Sequence, residues 1–297
     1  MKLPLKNRSL KQSASPSTKS SKGTSTKRHH HPLRPAALAG LALVVAAGGA
    51  ADADQDAGNP NVTAVEPGDT VAVTRMPDNI YLRSQNDPDD LIWDRVPTYR
   101  TTLLPAPPVH RSVKLRFADE IEAGKPLYFQ VARTDERFYI RLRWKDASED
   151  RATTVDDFRD GVAVQYAING VDTSYMMGSG PDNPVNIWYW RSDREAVENL
   201  AAGGYGSTTR LPEQNIAGDS AYVPDEYSDD GEWHVVMSRP IEAGDSEHAA
   251  NLERNPVPMG FALWQGNDNQ RDGDKRVTHT WIRLDAAGSD GETAADG

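Results

Sequence analysis

Residues 158–190 read FRDGVAVQYAINGVDTSYMMGSGPDNPVNIWYW and form the densest apolar and aromatic stretch of the chain. Large apolar side chains occupy alternate positions from Val162 to Ile168, which is the period of a β-strand with one filled face. Gly170 ends this strand, Tyr175–Met177 make a second short run, and Val185–Trp190 make a third strand with aromatic residues on both faces. The stretch therefore predicts a central β-meander of three strands.

Alternating patterns continue on both sides of the meander at the spacing of a β-sandwich. They occupy Val71–Val73, Val113–Phe117, Leu127–Val131, Phe138–Trp144, Trp233–Met237, Met259–Leu263 and Val277–Leu284. In Val113–Phe117 and Phe138–Trp144 the apolar residues alternate with polar or charged ones, so we expect one face of these strands to be buried and the other solvated. The sequence predicts a mainly all-β protein, an antiparallel β-sandwich over 61–285 with one or two short helices.

Three segments depart from the strand pattern. Ser192–Glu195 resembles a capping box, and predicts a short helix that runs to about Ala202. Leu211–Asp230 is predicted to be a long acidic loop. Trp93 lies in a polar run and is expected to plug one end of the sandwich.

The two ends of the chain differ in composition from the predicted sandwich. Residues 1–60 begin with a basic, Ser-rich segment, and Ala36–Ala50 follows as a run of 15 small apolar residues. Such a run is too short to span a bilayer and fits an export signal cleaved at Ala51–Ala53 or at Gly48–Ala50, followed by a disordered linker. His29–His31 precede the run and are expected to be inert. Residues 286–297 are expected to form a disordered acidic tail.

The charge of the chain limits the functions that it can have. The formal net charge is -11, and nine of the 33 basic residues but only three of the 44 acidic ones lie within 1–60. The rest of the chain is therefore strongly acidic, which argues against binding to nucleic acid or to an anionic membrane. Only four lysines follow residue 60, and low lysine with excess acid suggests a halophilic protein. With no cysteine, any redox centre must be non-covalent and held by His, Met, Lys or Tyr.

Several motifs together resemble a known family. In order, they are DDFRDGVAVQYA, YMMGSG, PVNIWYW, LAAGGYGS, DGEWHVVMSRP, VPMGFALWQG and RDGDKRVTHTW. They are similar to the haem-binding γ subunits of periplasmic molybdenum enzymes of the dimethyl sulfoxide reductase superfamily, the type found in ethylbenzene dehydrogenase, dimethylsulfide dehydrogenase, chlorate reductase and selenate reductase. The similarity covers about 91–284.

The resemblance implies a β-sandwich that holds one non-covalent b-type haem between a methionine and a lysine. It implies an electron-transfer subunit and not an enzyme in its own right. The expected partners are a molybdopterin catalytic subunit, an iron–sulfur subunit and a soluble electron carrier such as a c-type cytochrome or a copper protein. The expected location is periplasmic or otherwise extracytoplasmic, with no stable membrane anchor.

By position in the family pattern, Met177 and Lys275 are the expected axial ligands of the haem iron. Met177 directly precedes Gly178, as the family ligand does, but the neighbouring Met176 remains an alternative. Lys275 follows the loop RDGD in the position of the family's second ligand. His234 and His279 are the next ligands to consider.

Two other interpretations remain open at the level of sequence. An extracytoplasmic carbohydrate-binding β-sandwich would use Trp188, Tyr189 and Trp190 as a stacking platform. Asp268 and Asp272 partly imitate a calcium-binding loop, but no Glu closes it. The glycines of GGYGS at 203–207 follow no strand-to-helix phosphate pattern, and we expect them to allow a close approach of the backbone to a flat ligand.

Overall fold

The structure, a computed structural model, describes residues 61–78, 86–109 and 124–289, except for 195, 227, 229, 245 and 246. The predicted export signal, the strand at Val113–Phe117 and the tail from 290 onward lie outside these ranges. Within them, one 3-10 helix spans Leu91–Arg95, and the remaining elements are strands. They are β1 Val62–Ala64, β2 Thr70–Arg75, β3 Thr98–Pro105, β4 Lys125–Arg133, β5 Arg137–Asp146, β6 Gly161–Ala167, β7 Val185–Arg191, β8 Glu198–Ala202, β9 Thr209–Arg210, β10 Ala217–Pro224, β11 Gly231–Pro240, β12 Val257–Trp264, β13 Arg276–Val277 and β14 Ile282–Ser289.

The strands form one hydrogen-bonded path in the order β10-β11-β5-β4-β2-β14-β12-β6-β7-β8-β9. The pairs β14–β2, β2–β4 and β1–β3 are parallel, and the other pairs are antiparallel. The path folds back so that β4, β5 and β11 face β6, β7 and β12 across the main hydrophobic core. The prediction of an all-β sandwich is therefore confirmed.

Tryptophan and phenylalanine side chains join the two facing sheets. The Trp190 ring of β7 lies 4.9 Å from Trp233 and 6.0 Å from Trp144, and Phe129 lies 5.0 Å from Phe261, centroid to centroid. These rings are almost fully buried. Aromatic contacts of this kind add to the free energy of burial, so they fix the distance between the sheets.

A second apolar cluster covers the outer face of β6, β7 and β8. Its buried members are Ala163, Ala167, Val185, Ile187, Leu200, Ala202 and Trp281. These residues alternate in sequence with residues of the main core, because successive side chains of a strand point to opposite faces. Both faces of this sheet are thus apolar, in line with the aromatic residues predicted for both faces of Val185–Trp190. None of the helices in the described ranges combines the length and apolar character that a membrane span needs.

The predicted helix at 192–202 is wrong. Glu198–Ala202 is strand β8, which pairs antiparallel with Val185–Tyr189 of β7. The Ser192 hydroxyl donates to the Asp150 carbonyl and so caps no helix. A helix this short is marginal in water, whereas the strand satisfies its backbone on β7 and buries Leu200. Arg194 and Glu198, four residues apart as in a helical ion pair, still form an ion pair in the observed structure.

Three other predictions differ from the structure. The expected acidic loop at 211–230 contains β10, a weakly apolar strand paired with β11. Residues 278–281 interrupt the expected final strand between β13 and β14. Trp93 does not plug the sandwich, because it packs with Tyr139 and Val236 on the outer face of β5 and β11.

Candidate functional site

A cavity of about 750 Å³ lies on the outer face of the sheet formed by β12, β6, β7 and β8. Its floor consists of residues that these strands direct away from the main core, among them Gln165, Ile187, Tyr189, Leu200 and Trp264. The loops 153–159, 173–178, 203–208 and 270–275 contribute further walls. Cofactor sites in proteins commonly have about 300–1,000 Å³ and mainly apolar walls, so this cavity is large enough for an extended planar ligand.

Tyr175, Met176 and Met177 line this cavity from a turn, not from the second strand of the predicted meander. Strands β6 and β7 therefore pair directly with each other. The turn is anchored on both sides, since Gln165 Nε2 donates to the Tyr175 carbonyl at 2.5 Å and Gly204 N donates to the Met177 carbonyl at 2.7 Å. These bonds hold the two methionines at the cavity wall.

Met177 has a positive φ of 66°, a conformation that side chains larger than glycine seldom adopt. Such a residue costs about 1–3 kcal/mol and persists only where its surroundings impose it, commonly at functional sites. Met177 also packs against the apolar cluster of the cavity floor. The backbone thus distinguishes Met177 from Met176, which the sequence could do only by its position before Gly178.

Gly178 must be glycine because its backbone passes close to the 203–207 loop. Its φ is 91°, and an added Cβ would lie 2.8 Å from the Ala202 carbonyl oxygen and 3.0 Å from that of Asn183. Gly203 is crowded in the same way, since a Cβ added there would lie 2.8 Å from the Gly180 carbonyl oxygen. Gly178 and Gly203 therefore allow the 173–178 turn and the 203–207 loop to pack closely. Gly206, by contrast, lines the cavity.

We expect Gly178→Ala to lower the melting temperature more than Gly180→Ala. Both positions have a positive φ, so both variants carry backbone strain of about 1–2 kcal/mol. Only Gly178→Ala adds a clash with backbone, because nothing lies within 4 Å of a Cβ at Gly180. Thermal unfolding followed by circular dichroism measures the difference. Equal losses in the two variants would contradict the loop contact described above.

Lys275 lines the same cavity from the loop before β13. Its carbonyl accepts a hydrogen bond from Ala106 N at 2.8 Å, and its Nζ lies 4.7 Å from the centroid of the Trp264 ring. Burial lowers the pKa of the Lys275 ammonium to about 8, and the nearby Asp272 carboxylate opposes this shift. A large fraction of this amine is therefore neutral at mildly alkaline pH and has a free lone pair.

The cavity brings together the two residues singled out from the sequence, Met177 and Lys275, and excludes the two histidines considered after them. Of the described residues, no histidine lines the cavity. His234 lies on the outer face of β11 between Asp89 and Glu232, with Nε2 2.8 Å from Glu232 Oε2. His279 is exposed, and its Nε2 lies 2.9 Å from the Pro105 carbonyl.

Neither the stacking platform nor the calcium loop finds support. Trp188 and Trp190 are 0% and 1% exposed in the main core, so they cannot stack on a saccharide. Tyr189 alone of this group faces the cavity. The Asp268 carboxylate is paired with the Arg276 guanidinium at 3.0 Å.

Sequence reasoning missed most of the cavity floor. The residues concerned are Ala163, Gln165, Ile187 and Leu200, which stand between the large core residues of β6, β7 and β8. The sequence did contain a sign of these positions. A face in contact with solvent alone would be polar, whereas Ala163, Ile187 and Leu200 are apolar and indicate that the second face of these strands is also covered. Leu200 was missed because its segment was predicted to be a helix and not strand β8.

Known proteins are similar to this chain over most of its length. Residues 90–225 match the model of the family described as ethylbenzene dehydrogenase. The dimethylsulfide dehydrogenase subunit gamma of Rhodovulum sulfidophilum is 51% identical over 222 residues, which is 75% of this chain and 83% of that protein. The chlorate reductase subunit gamma of Ideonella dechloratans is 38% identical over 203 residues, or 66% and 78% of the two chains.

Two further proteins are more remote. A protein of Haloferax mediterranei, provisionally named respiratory nitrate reductase heme subunit, is 34% identical over 64% of this chain and 65% of its own. A family 9 carbohydrate-binding module of Caldicellulosiruptor kristjanssonii, solved with glucose, has a TM-score of 0.39 and 11% identity over 76% of this chain and 99% of that one. A likeness as distant as the latter says nothing about the ligand of this cavity.

Its relatives place this chain in the electron-transfer, non-catalytic class of subunits. The chain belongs to the ethylbenzene dehydrogenase family, among the γ subunits of enzymes related to dimethyl sulfoxide reductase.

Proposed function

We propose that this subunit binds one non-covalent b-type haem in the cavity, with Met177 and Lys275 as axial ligands. In this proposal it passes single electrons between a molybdopterin catalytic subunit with its iron–sulfur partner and a soluble carrier, such as a c-type cytochrome or a copper protein. The observation that carries the proposal is that Met177 and Lys275, distant in sequence, line one cavity of about 750 Å³.

The donors and the walls of the cavity fit a haem. A thioether and a neutral amine are both ligands that iron accepts, and aromatic and aliphatic floor residues suit the faces of a macrocycle. Arg159, Arg210 and Arg271 also line the cavity, and guanidinium groups pair well with carboxylates such as the two haem propionates. The names of the relatives support the same cofactor, since one of them is a heme subunit.

Each ligand residue would contribute a distinct property. The turn anchored by Gln165 and Gly204 would hold the Met177 sulfur at the cavity wall, and methionine ligation raises the potential of a haem. Burial of Lys275 lowers the cost of removing its proton. A bound haem would supply reversible one-electron chemistry, and the apolar residues of the cavity floor would exclude water from it.

The affinity for ferrous haem should rise with pH and level off above about pH 8. The Lys275 amine binds iron only when it is neutral, and its folded pKa of about 8 lies below the usual value of about 10.4. Below pH 8 the affinity should fall by about tenfold for each pH unit, because the proton must first leave. The same shift means that stability without haem increases as pH rises between about 8 and 10.4, where the unfolded chain binds more protons.

Anaerobic haem titrations over a range of pH measure this dependence. Lys275→Met is the matched control, since a thioether has no proton to lose and its profile should be flat. A wild-type profile that is equally flat would contradict the role of Lys275.

We further propose that the protein works outside the cytoplasmic membrane, in the periplasm where its source has one. The order of basic segment, apolar run and small residues in 1–54 supports export. N-terminal sequencing of the protein from its native cells should find a first residue near Asp52–Asp54. A cytoplasmic product that retains Ala36–Ala50 would contradict export.

Isolation from native cells also tests the proposed partners. The tagged chain should co-purify with a subunit that contains molybdenum and one that contains iron–sulfur clusters. Reduced by the substrate of that enzyme, the complex should transfer electrons through this chain to an added cytochrome c or copper protein. Recovery of the chain alone, without haem, would overturn the proposal.

A further inference from the structure

Three aspartates outside the large cavity lie close together where the loop 147–160 leaves β5 and returns to β6. Asp146 is the last residue of β5, Asp150 lies in the loop, and Asp160 directly precedes β6. One carboxylate oxygen from each lies within 4.8 Å of one from each of the others, the distance at which they could share a metal ion. Among the described residues, no other group of three or more His, Cys, Asp or Glu side chains has this geometry.

The three carboxylates differ in how well their hydrogen-bonding capacity is met. Asp160 is 0% exposed but accepts bonds from Gly266 N at 2.8 Å, Asp150 N at 2.8 Å and Trp233 Nε1 at 2.9 Å. Asp146 is 1% exposed, and its Oδ2 accepts a long bond from Trp144 Nε1 at 3.2 Å. No donor among the described residues makes a hydrogen bond to its Oδ1.

A buried carboxylate oxygen without a hydrogen bond of its own, such as Asp146 Oδ1, carries a desolvation cost that a further partner would reduce. Two nearby carboxylates make the cost larger, since their charges repel. Burial, and after it the charge of Asp146, raise the pKa of Asp160 to about 7. Burial also raises the pKa of Asp146 to about 6, although the Gln265 side chain, the Lys125 charge, Trp144 Nε1 and Ser148 N oppose the shift. A bound cation would both neutralise the charges and supply a partner for Asp146 Oδ1.

We infer that Asp146, Asp150 and Asp160 bind one hard divalent cation, calcium in preference to magnesium. Carboxylate oxygens are the ligands that both ions prefer. Magnesium keeps several waters in a strict octahedron, which two fully buried aspartates leave little room for, whereas calcium accepts irregular sets of protein oxygens. A hollow of about 240 Å³ lies beside the cluster, and Asp146, Lys125 and Lys145 are among the residues that line it.

The position of the site suggests what the ion would stabilise. The loop 147–160 supplies Thr153, Phe158 and Arg159 to the wall of the large cavity. Asp160 also holds Gly266, at the start of the segment that leads to Lys275. A cation at the three aspartates would therefore join two loops that meet at the cavity.

Terbium luminescence tests the site on the full chain, after treatment with a chelator and without haem. The indole groups of Trp144 and Trp233 donate to Asp146 and Asp160, so they lie close enough to sensitise a bound terbium ion. We expect saturation at one ion per chain, displacement by calcium well before magnesium, and a higher melting temperature with calcium. Asp146→Asn and Asp150→Asn should each weaken binding by more than about tenfold, the loss that even outer-shell changes can cause.

Asp219→Asn is the matched control, since Asp219 is an exposed aspartate of β10 and should bind as wild type. If Asp146→Asn does not fold, the half-buried Asp150 variant decides the question with the wild-type titration. The absence of saturable binding of terbium or calcium by the wild type would overturn the inference. Unaltered affinity in both aspartate variants would overturn it equally, and equal displacement by magnesium would refute the preference for calcium.

Discussion

Lys275→Ala and Met177→Ala should each convert a six-coordinate, low-spin haem spectrum into a high-spin or haem-free one. Each change removes one proposed axial ligand, and no histidine among the described residues lines the cavity to replace it. Alanine at 177 can retain the positive φ of the methionine at a similar cost, so the variant removes the side chain and keeps the turn. The effect should therefore be on the iron and not on the fold. Absorption spectra of the ferric and ferrous proteins measure it.

Met176→Ala is the matched control for Met177→Ala. Met176 lines the same cavity and is half-buried, so its loss should cost less than the about 2–5 kcal/mol typical of a buried methionine and leave the spectrum low-spin. If Met176→Ala instead gave the high-spin spectrum and Met177→Ala did not, Met176 would be the axial ligand and Met177 the packing residue. A low-spin spectrum that survives Lys275→Ala would refute the lysine ligand.

Trp188→Ala should destabilise the fold by about 3–5 kcal/mol, the loss expected for a large aromatic residue of the core. The Trp188 ring is fully buried, 5.0 Å from Tyr166 and 6.1 Å from Phe138, and the Arg239 guanidinium lies 5.5 Å from it. The loss should appear as a lower midpoint in chemical denaturation, whereas a tryptophan that stacks on a saccharide would be replaced at little cost in stability.

Tyr189→Ala provides the comparison on the same strand. Tyr189 follows Trp188 but faces the cavity, where its ring lies 5.2 Å from that of Trp264. We expect a smaller loss of stability and a weaker affinity for haem. The reverse order, with Trp188→Ala stable and unable to bind oligosaccharide, would favour a carbohydrate-binding module over an electron-transfer subunit.

The sequence predicted the strands of the main core but not the strands at the edges of the sheet. Alternation identified β4, β5, β6, β7, β11 and β12 because each directs large side chains into one core. The same reasoning missed β10, whose half-exposed residues give little alternation, and it assigned β8 to a helix. Local spacing around Ser192 favoured a helix, but pairing with β7 is a long-range contact that no local pattern reveals.

The candidate site was predictable only in part for a similar reason. The resemblance selected Met177 and Lys275, and neither periodicity nor composition would have done so. The strand predicted for Tyr175–Met177 was wrong, since these residues form a turn whose position depends on hydrogen bonds to Gln165 and Gly204. The three aspartates at 146, 150 and 160 gave no signal, because scattered acidic residues are common in so acidic a chain and only folding brings these together.

The most direct test of the central claim is the haem content and spectrum of the purified wild-type protein. The account predicts one extractable b-type haem per chain, six-coordinate and low-spin, with the near-infrared charge-transfer band of a methionine sulfur bound to ferric iron. A chain that neither contains haem nor binds it when haem is added would contradict the claim, and so would a spectrum of bis-histidine ligation.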